Sequence, residues 1–298
     1  MLLRVFLFTE LNGETMSGKT AIFIPTFGRP QRVTEIAEEL CAATTAPYRL
    51  YFIVEKHDPD TLAAVERVDA TLIMNPGPPT YASCINSAYA QTDEPYLFTG
   101  ADDLNFHPGW LAAAVNCMSD PAIDVVGTAD PLHNARDHST HSLVRRKYIE
   151  EQSGCMDRPN TVLYPYWHGW TDHEFLGVAK ARGVYYYCEK SLVEHLHPGW
   201  DWLGRVNSDG ENFDATYAKG NRNHRQDTRQ FLQRSSQWID LLPNESRANV
   251  GIKKFVRRNR GFQGKVRFGL KTVKSVIRRE VTRQIQRLKL ADPATDRN

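Results

Sequence analysis

Between residues 20 and 100 the apolar positions form short solid runs, separated by stretches in which they recur every three or four residues. Ala21-Ile22-Phe23-Ile24 is such a run, stopped by Pro25 and Gly28, and it predicts a buried strand. Val33, Ile36, Ala37 and Leu40 then recur at helical spacing, with Glu35, Glu38 and Glu39 on the other side. Tyr51-Phe52-Ile53-Val54 predicts a second strand. Asp58-Pro59-Asp60 opens a helix through Leu62, Val65 and Val68, and Thr71–Met74 is a third strand ending at the turn Asn75-Pro76-Gly77-Pro78-Pro79. A helix from Tyr81 to Ala90 and a strand from Tyr96 to Thr99 follow. Parallel neighbours need crossovers, so this order predicts an α/β fold, a mostly parallel Rossmann-like sheet flanked by helices. Ligands of such sheets bind beyond the carboxyl ends of the strands. That rule singles out Pro25–Pro30, Glu55–Asp58, Asn75–Thr80 and Gly100–Pro108.

The pattern is less regular further on. Val125–Gly127 and Tyr185–Tyr187 predict strands, Val144–Glu150 an amphipathic segment, and Phe175, Leu176 and Ala179 a helix from Asp172 to Arg182 that ends at Gly183. Ser208–Arg225, rich in Asn, Asp and Gly, predicts a mobile loop. Val266, Leu270, Val273, Ile277, Val281, Ile285 and Leu288 are spaced by three or four, and Lys271, Lys274, Arg278, Arg279, Arg283 and Arg287 occupy the opposite face of that amphipathic helix. The expected organisation is an N-terminal extension over 1–19, an α/β domain over 20–240 and a basic helical appendage over 250–298. Met16, followed by Ser17-Gly18-Lys19, is an alternative start.

Charge sharpens this division. Lys253 to Lys289 contain fourteen Lys or Arg and one acid, Glu280, although the whole chain carries a net charge of only +2, so the remainder is net acidic. Three partners fit the tail: an anionic membrane surface, nucleic acid, and the acidic body or a second copy of the chain. The five cysteines are odd in number and widely spread, with no Cys-x-x-Cys pair, which excludes a disulfide scaffold and favours a reducing cytoplasm. No stretch approaches the roughly 20 apolar residues of a membrane span.

Gly13-Glu14-Thr15-Met16-Ser17-Gly18-Lys19-Thr20 fits the phosphate-binding P-loop pattern. That loop must open a helix, whose amides and dipole hold the phosphates. Here it opens the strand-like run Ala21–Pro25. A P-loop nucleotide hydrolase or kinase is therefore the enzyme alternative, and a nucleic-acid-binding module with an inactive body the non-enzyme one.

Three groups of residues carry candidate chemistry. Asp102 and Asp103 follow a buried strand, where two adjacent carboxylates repel each other and a hard cation such as Mg²⁺ or Mn²⁺ relieves the repulsion. An Asx turn or helix cap before Trp110 is the bland alternative. Asp172 and Glu174 lie among aromatics in Trp167-His168-Gly169-Trp170-Thr171-Asp172-His173-Glu174, where desolvation makes a carboxylate a better base. From the residues alone, an N-cap by Thr171 or Asp172 followed by Glu174 and an apolar run is the simpler account. In Leu192-Val193-Glu194-His195-Leu196-His197-Pro198, strand alternation puts His195 and His197 on one face, available to a metal ion or to structural hydrogen bonds.

In this order the motifs resemble GT-A glycosyltransferases similar to family 2. Ile22–Phe27 resembles their opening strand and turn, which implies nucleotide contacts from Pro25, Thr26 and Arg29. Gly100-Ala101-Asp102-Asp103 resembles their DxD-type metal motif, with Gly100 where the family often carries a further Asp. The resemblance places Glu55 at the base or ribose and Asn86 on the helix facing the donor. It also makes Asp172 the catalytic base and Glu174 its positioning partner, and it adds His195 or His197 to the metal shell. It implies a nucleoside-diphosphate-sugar donor, Mn²⁺ or Mg²⁺, transfer of a hexose-type unit with inversion, and an acceptor that is a protein, glycan, lipid or modified DNA base. Trp167, Trp170 and Trp200 are the aromatics expected near that acceptor. The stretches ADD-x-x-F-HPGW and VEH-x-HP are similar to enzymes encoded by bacteriophages of actinobacteria, which implies a host cytoplasm.

Overall fold

The computed structural model describes residues 19–132, 137–196, 215–244 and 246–260. Strands β1 (Thr20–Pro25), β2 (Tyr48–Val54), β3 (Thr71–Met74) and β4 (Tyr96–Thr99) are parallel and alternate with helices α1 (Pro30–Ala43), α2 (Pro59–Val65) and α3 (Tyr81–Ala90). Each helix start has a local cause. Pro30 and Pro59 occupy first-turn positions, where a missing N–H costs nothing. The Asp58 and Thr80 side chains accept from Thr61 N and Ser83 N, at 3.2 Å each.

After β4 the chain forms β5 (Leu104–Phe106), α4 (Trp110–Cys117), β6 (Val125–Ala129), β7 (Ser142–Arg145), α5 (Arg146–Gln152), α6 (Thr171–Ala181) and β8 (Tyr185–His195). The sheet order is β3-β2-β1-β4-β7-β6-β8-β5. β7 runs antiparallel to both its neighbours, β6 and β8 are parallel, and β5 is antiparallel to β8. The sheet is thus parallel in its first half and mixed in its second. The segment around Val144–Glu150 divides into β7 and α5. Helix α6 ends as expected: Gly183 is left-handed (φ +75°), and the Gly183 and Val184 amides close on the carbonyls of Lys180 and Ala179.

Both faces of the sheet are covered, so β1 is apolar throughout. Ile22 and Ile24 pack toward α1 and α4, whereas Ala21 and Phe23 pack toward α3, α5 and α6. A third cluster joins Tyr166 and Val178 to Phe231, Trp238, Ile239, Leu242 and Val256. Phe231 comes from α7 (Ala215–Arg234), Trp238, Ile239 and Leu242 from the segment that follows a short 3₁₀ turn (Ser235–Gln237), and Val256 from α8 (Arg247–Arg260).

Three sequence expectations meet this structure differently. Residues 215–225 are helical and not a loop: α7 buries Asp227, Thr228, Phe231 and Arg234, a stripe at helical spacing that is mostly polar and so invisible to an apolar periodicity. Thr20–Pro25 is a strand paired on both sides, so the Lys19–Thr20 end of the P-loop pattern opens no helix. At the start of the basic tail, α8 packs on the body through Val256, and Lys253 is buried with its ammonium donating to Leu242 O and Asn244 Oδ1. The stripe from Val266 to Leu288 and residues 1–18 lie outside the described residues. No helix among those described is long and apolar enough to cross a membrane.

Candidate active site

The carboxyl ends of β1, β2 and β4 converge on one cleft, as the strand-end rule requires. Pro25 and Thr26 close β1, with Thr26 buried and its amide donating to Ile53 O at 3.0 Å. The turn that follows is tied to the start of α2 by Gly28 N, which donates to Asp58 Oδ2 at 2.6 Å. Arg29 Nη1 donates to Asp102 Oδ1 at 2.5 Å, and Arg32 Nε donates to the Asp102 carbonyl at 2.7 Å. Glu55 stands at the end of β2, as expected.

Gly100 explains the departure from the four-residue acidic motif. A Cβ there would lie 2.8 Å from Phe23 O and 2.7 Å from Ile24 Cδ1, so an Asp at this position would collide with β1. The acids begin at Asp102. Burial, opposed by Arg29 and aided by Asp103, pushes the Asp102 carboxyl up to about 7.

The antiparallel pairing of β5 with β8 brings the late histidine to the early acids. Leu104 opposes His195, Leu196 N donates to Asp103 O at 2.8 Å, and His195 Nε2 lies 3.3 Å from Asp103 Oδ2. Burial disfavours a charged His195, but the Asp103 carboxylate outweighs it and raises the imidazole above its ordinary value. Two ligands ~2.1 Å from one ion lie roughly 3 Å apart, so Asp103 and His195 are spaced as a pair on a common cation would be. A hard carboxylate with an imidazole suits Mn²⁺ and tolerates Mg²⁺. His197 lies outside the described residues.

His141, absent from the sequence reading, packs edge-on to His195 with ring centroids 5.0 Å apart. Its Nδ1 donates to Thr99 O at 2.6 Å, where the Tyr81 hydroxyl also donates at 2.9 Å. Burial, then His195, pushes the His141 pKa down to about 4, so the ring is neutral.

Asp172 is in the first turn of α6 and is held by two imidazoles. His173 Nδ1 donates to its Oδ1 at 3.0 Å and His138 Nε2 to its Oδ2 at 3.1 Å. These three side chains are also spaced as metal ligands would be. Burial works to raise the Asp172 pKa, but His173 and His138 outweigh it and hold the carboxyl well below the usual range. The expectation that desolvation would raise its basicity is therefore corrected, because charge-assisted hydrogen bonds win.

Two expected site residues are committed elsewhere. Glu174, two positions after Asp172 and so on the opposite side of α6, is buried against Arg234: Nη2 donates to Oε1 at 2.6 Å and Nε to both oxygens at 3.0 Å, while the Tyr166 hydroxyl donates to Oε2. Asn86 accepts from Val162 N and Leu163 N at 3.0 Å and donates to Leu163 O at 2.8 Å, which pins that loop. Of the aromatics, Trp170 stacks between Phe231 (4.4 Å) and Phe255 (5.0 Å), Trp167 is 40% exposed, and Trp200 lies outside the described residues. Asp227 was also not anticipated. Its carboxylate accepts from the amides of Trp167, His168 and Gly169 at 2.8–2.9 Å and fixes the loop that leads into α6.

No protein-family model matches the chain, and no curated protein matches it in sequence. Solved structures do match. Glucosyl-3-phosphoglycerate synthase from Mycobacterium tuberculosis, in complex with Mn²⁺, uridine diphosphate and glucosyl-3-phosphoglycerate, aligns with a TM-score of 0.53 at 12% identity, over 77% of this chain and 82% of that one. The mannosyltransferase PcManGT from Pyrobaculum calidifontis, in complex with GDP-Man and Mn²⁺, aligns with a TM-score of 0.51 at 14% identity, over 80% of this chain and 79% of the other. The fold of this chain is that of the GT-A glycosyltransferases.

Proposed function

We propose that this chain is a metal-dependent glycosyltransferase that moves a sugar from a nucleoside-diphosphate-sugar donor to a hydroxyl of an acceptor, with inversion. One observation carries the reading: the β5–β8 pairing sets His195 against Asp103, next to the Arg29–Asp102 pair. The assignment to a family-2-like, phage-encoded group acting in a host cytoplasm rests on the Ala101–Trp110 and Val193–Pro198 motifs.

Asp103 and His195 would hold Mn²⁺ or Mg²⁺, with Asp102 beside them, and the ion supplies positive charge for the leaving diphosphate. Pro25, Thr26 and Glu55 border the space for the nucleoside, and Arg29 opposes the burial that drives Asp102 toward its neutral form. The acceptor oxygen attacks the anomeric carbon while the bond from that carbon to the diphosphate oxygen breaks, and its electrons leave with the nucleoside diphosphate. The acceptor proton passes to Asp172, whose flanking imidazoles keep it deprotonated beforehand. Transfer to an acceptor or to water releases nucleoside diphosphate. That release is measured from UDP- and GDP-sugars in the presence of Mn²⁺. It is expected from the wild-type chain and not from Asp103→Ala; equal release from both removes the assignment of the metal site.

A further inference from the structure

A cavity of about 390 Å³ lies between α6, α8 and the segment of residues 138–140, and Asp172, His173 and His138 line one end of it. Its volume falls within the ~300–1,000 Å³ of small-molecule pockets. We infer that this cavity is the acceptor site and that it takes a hydroxyl carried on a flat apolar body, an aromatic or fused-ring alcohol. This inference rests on the glycosyltransferase reading above.

The walls give the body of the ligand. Trp170, Leu176, Trp238, Leu242, Ile252 and Phe255 line the cavity, so most of what a ligand would touch is apolar and much of it aromatic. The aromatic walls are rigid. Trp170 is stacked on Phe231 with rings 17° from parallel, and the Trp238 ring lies on the bare Cα of Gly177, where any Cβ would meet it at 2.4 Å. The buried indole N–H of Trp238 has no acceptor among the described residues.

The polar end gives the reacting group. Asp172, the base of the mechanism proposed above, lines this cavity together with His138 and His173. A hydroxyl at the Asp172 end thus faces the donor side, while the rest of the molecule lies along α8. Charge argues against a phosphorylated acceptor such as the phosphoglyceric acid bound in another complex of the M. tuberculosis synthase. Lys180 is the one lysine or arginine lining the cavity among the described residues, and its ammonium is held 3.1 Å from the Asp137 carboxylate. A phosphate dianion brought here would lose its hydration without a free cation in return.

Gly251 lines the cavity, and a Cβ there meets nothing within 4 Å. Gly251→Leu therefore projects bulk into open space while improving helix propensity by roughly 1 kcal/mol, so the fold is retained. The test is calorimetric titration of the full chain and of Gly251→Leu with 2-naphthol, with 3-phosphoglycerate, and separately with UDP plus Mn²⁺. The expected result is that 2-naphthol binds the wild type, that Gly251→Leu weakens it at least about tenfold, that UDP–Mn²⁺ binds both chains equally, and that 3-phosphoglycerate binds neither. Binding of 3-phosphoglycerate, no binding of 2-naphthol, or equal 2-naphthol affinity in both chains overturns the inference. Binding of 2-naphthol as expected, with no Mn²⁺-dependent binding of UDP or, in the same titration, of GDP or TDP, supports the apolar ligand class and overturns the glycosyltransferase reading.

Discussion

Arg29 Nη1 donates to Asp102 Oδ1 across 2.5 Å, joining the turn after β1 to the turn after β4. The contact sets the charge of the cleft, because burial alone pushes Asp102 toward its neutral form and Arg29 is the leading counterweight. Arg29→Ala should raise the Asp102 pKa further. One pKa unit corresponds to about a tenfold change in the ionised fraction, so UDP–Mn²⁺ affinity near neutral pH should fall about tenfold and recover as the pH is raised. Isothermal titration across pH 6–9 checks this, and a loss of affinity that is independent of pH would leave Arg29 a simple phosphate contact.

Asp172 is expected to matter for the chemical step and not for donor binding. Removing a general base typically costs ~10²–10⁴ in rate. Asp172→Asn should lower nucleoside diphosphate release by that order with UDP–Mn²⁺ affinity unchanged. Single-turnover kinetics alongside titration separates the two quantities. Turnover that survives in this variant removes Asp172 as the base and points to His138 or His173.

Glu174 should report on stability instead of chemistry. It shares a buried network with Arg234, Tyr166 and, through Arg234, Asp157. Breaking a buried pair by removing one partner costs ~3–5 kcal/mol. Urea denaturation of Glu174→Ala should show a loss of that size, while the folded fraction binds UDP–Mn²⁺ normally. Lost donor affinity at wild-type stability would instead restore Glu174 to the active site.

Much of this fold was legible in the chain because its first half obeys one rule. Strands buried on both faces read as solid apolar runs, and β1, β3, β4 and α3 lie where Ala21–Ile24, Thr71–Met74, Tyr96–Thr99 and Tyr81–Ala90 predict them. Asp102, Asp103, Asp172 and His195 were visible because strand ends and a helix start collect ligands. The rest depends on pairing over long sequence distances. Nothing local to Glu174 reveals Arg234, sixty residues on, and nothing local to Asn86 reveals the backbone of Val162. β5 is three residues long, too short for periodicity, yet its register with β8 is what brings Asp103 to His195. His138 and His141 carried one signal, a dense run of histidines after β6, without an element to place them on.

His141 gives a pH dependence of known sign. Its pKa in the folded protein, about 4, lies below the ~6.5 of an unfolded imidazole. As the pH falls below about 6.5 the unfolded chain gains a proton that the folded one does not, so stability is lost progressively down to about pH 4. The raised pKa values of His173 and His195 act in another window: their contribution is complete below about 6.5 and is lost as the pH rises through their folded values. Denaturation of the metal-free chain at pH 4.5 and 6.5 should show a loss of about 2 kcal/mol that is absent from His141→Gln. An equal loss in both chains assigns the dependence to other groups.

The pairing of Asp103 with His195 stands at the centre of the account, and thermal unfolding with nucleotide sugars tests it most directly. The wild-type chain is expected to gain several degrees in Tm from at least one UDP-, GDP- or TDP-sugar only when Mn²⁺ is present, and His195→Ala is expected to lose that gain. No metal-dependent stabilisation by any of these donors, or an undiminished gain in His195→Ala, would contradict it.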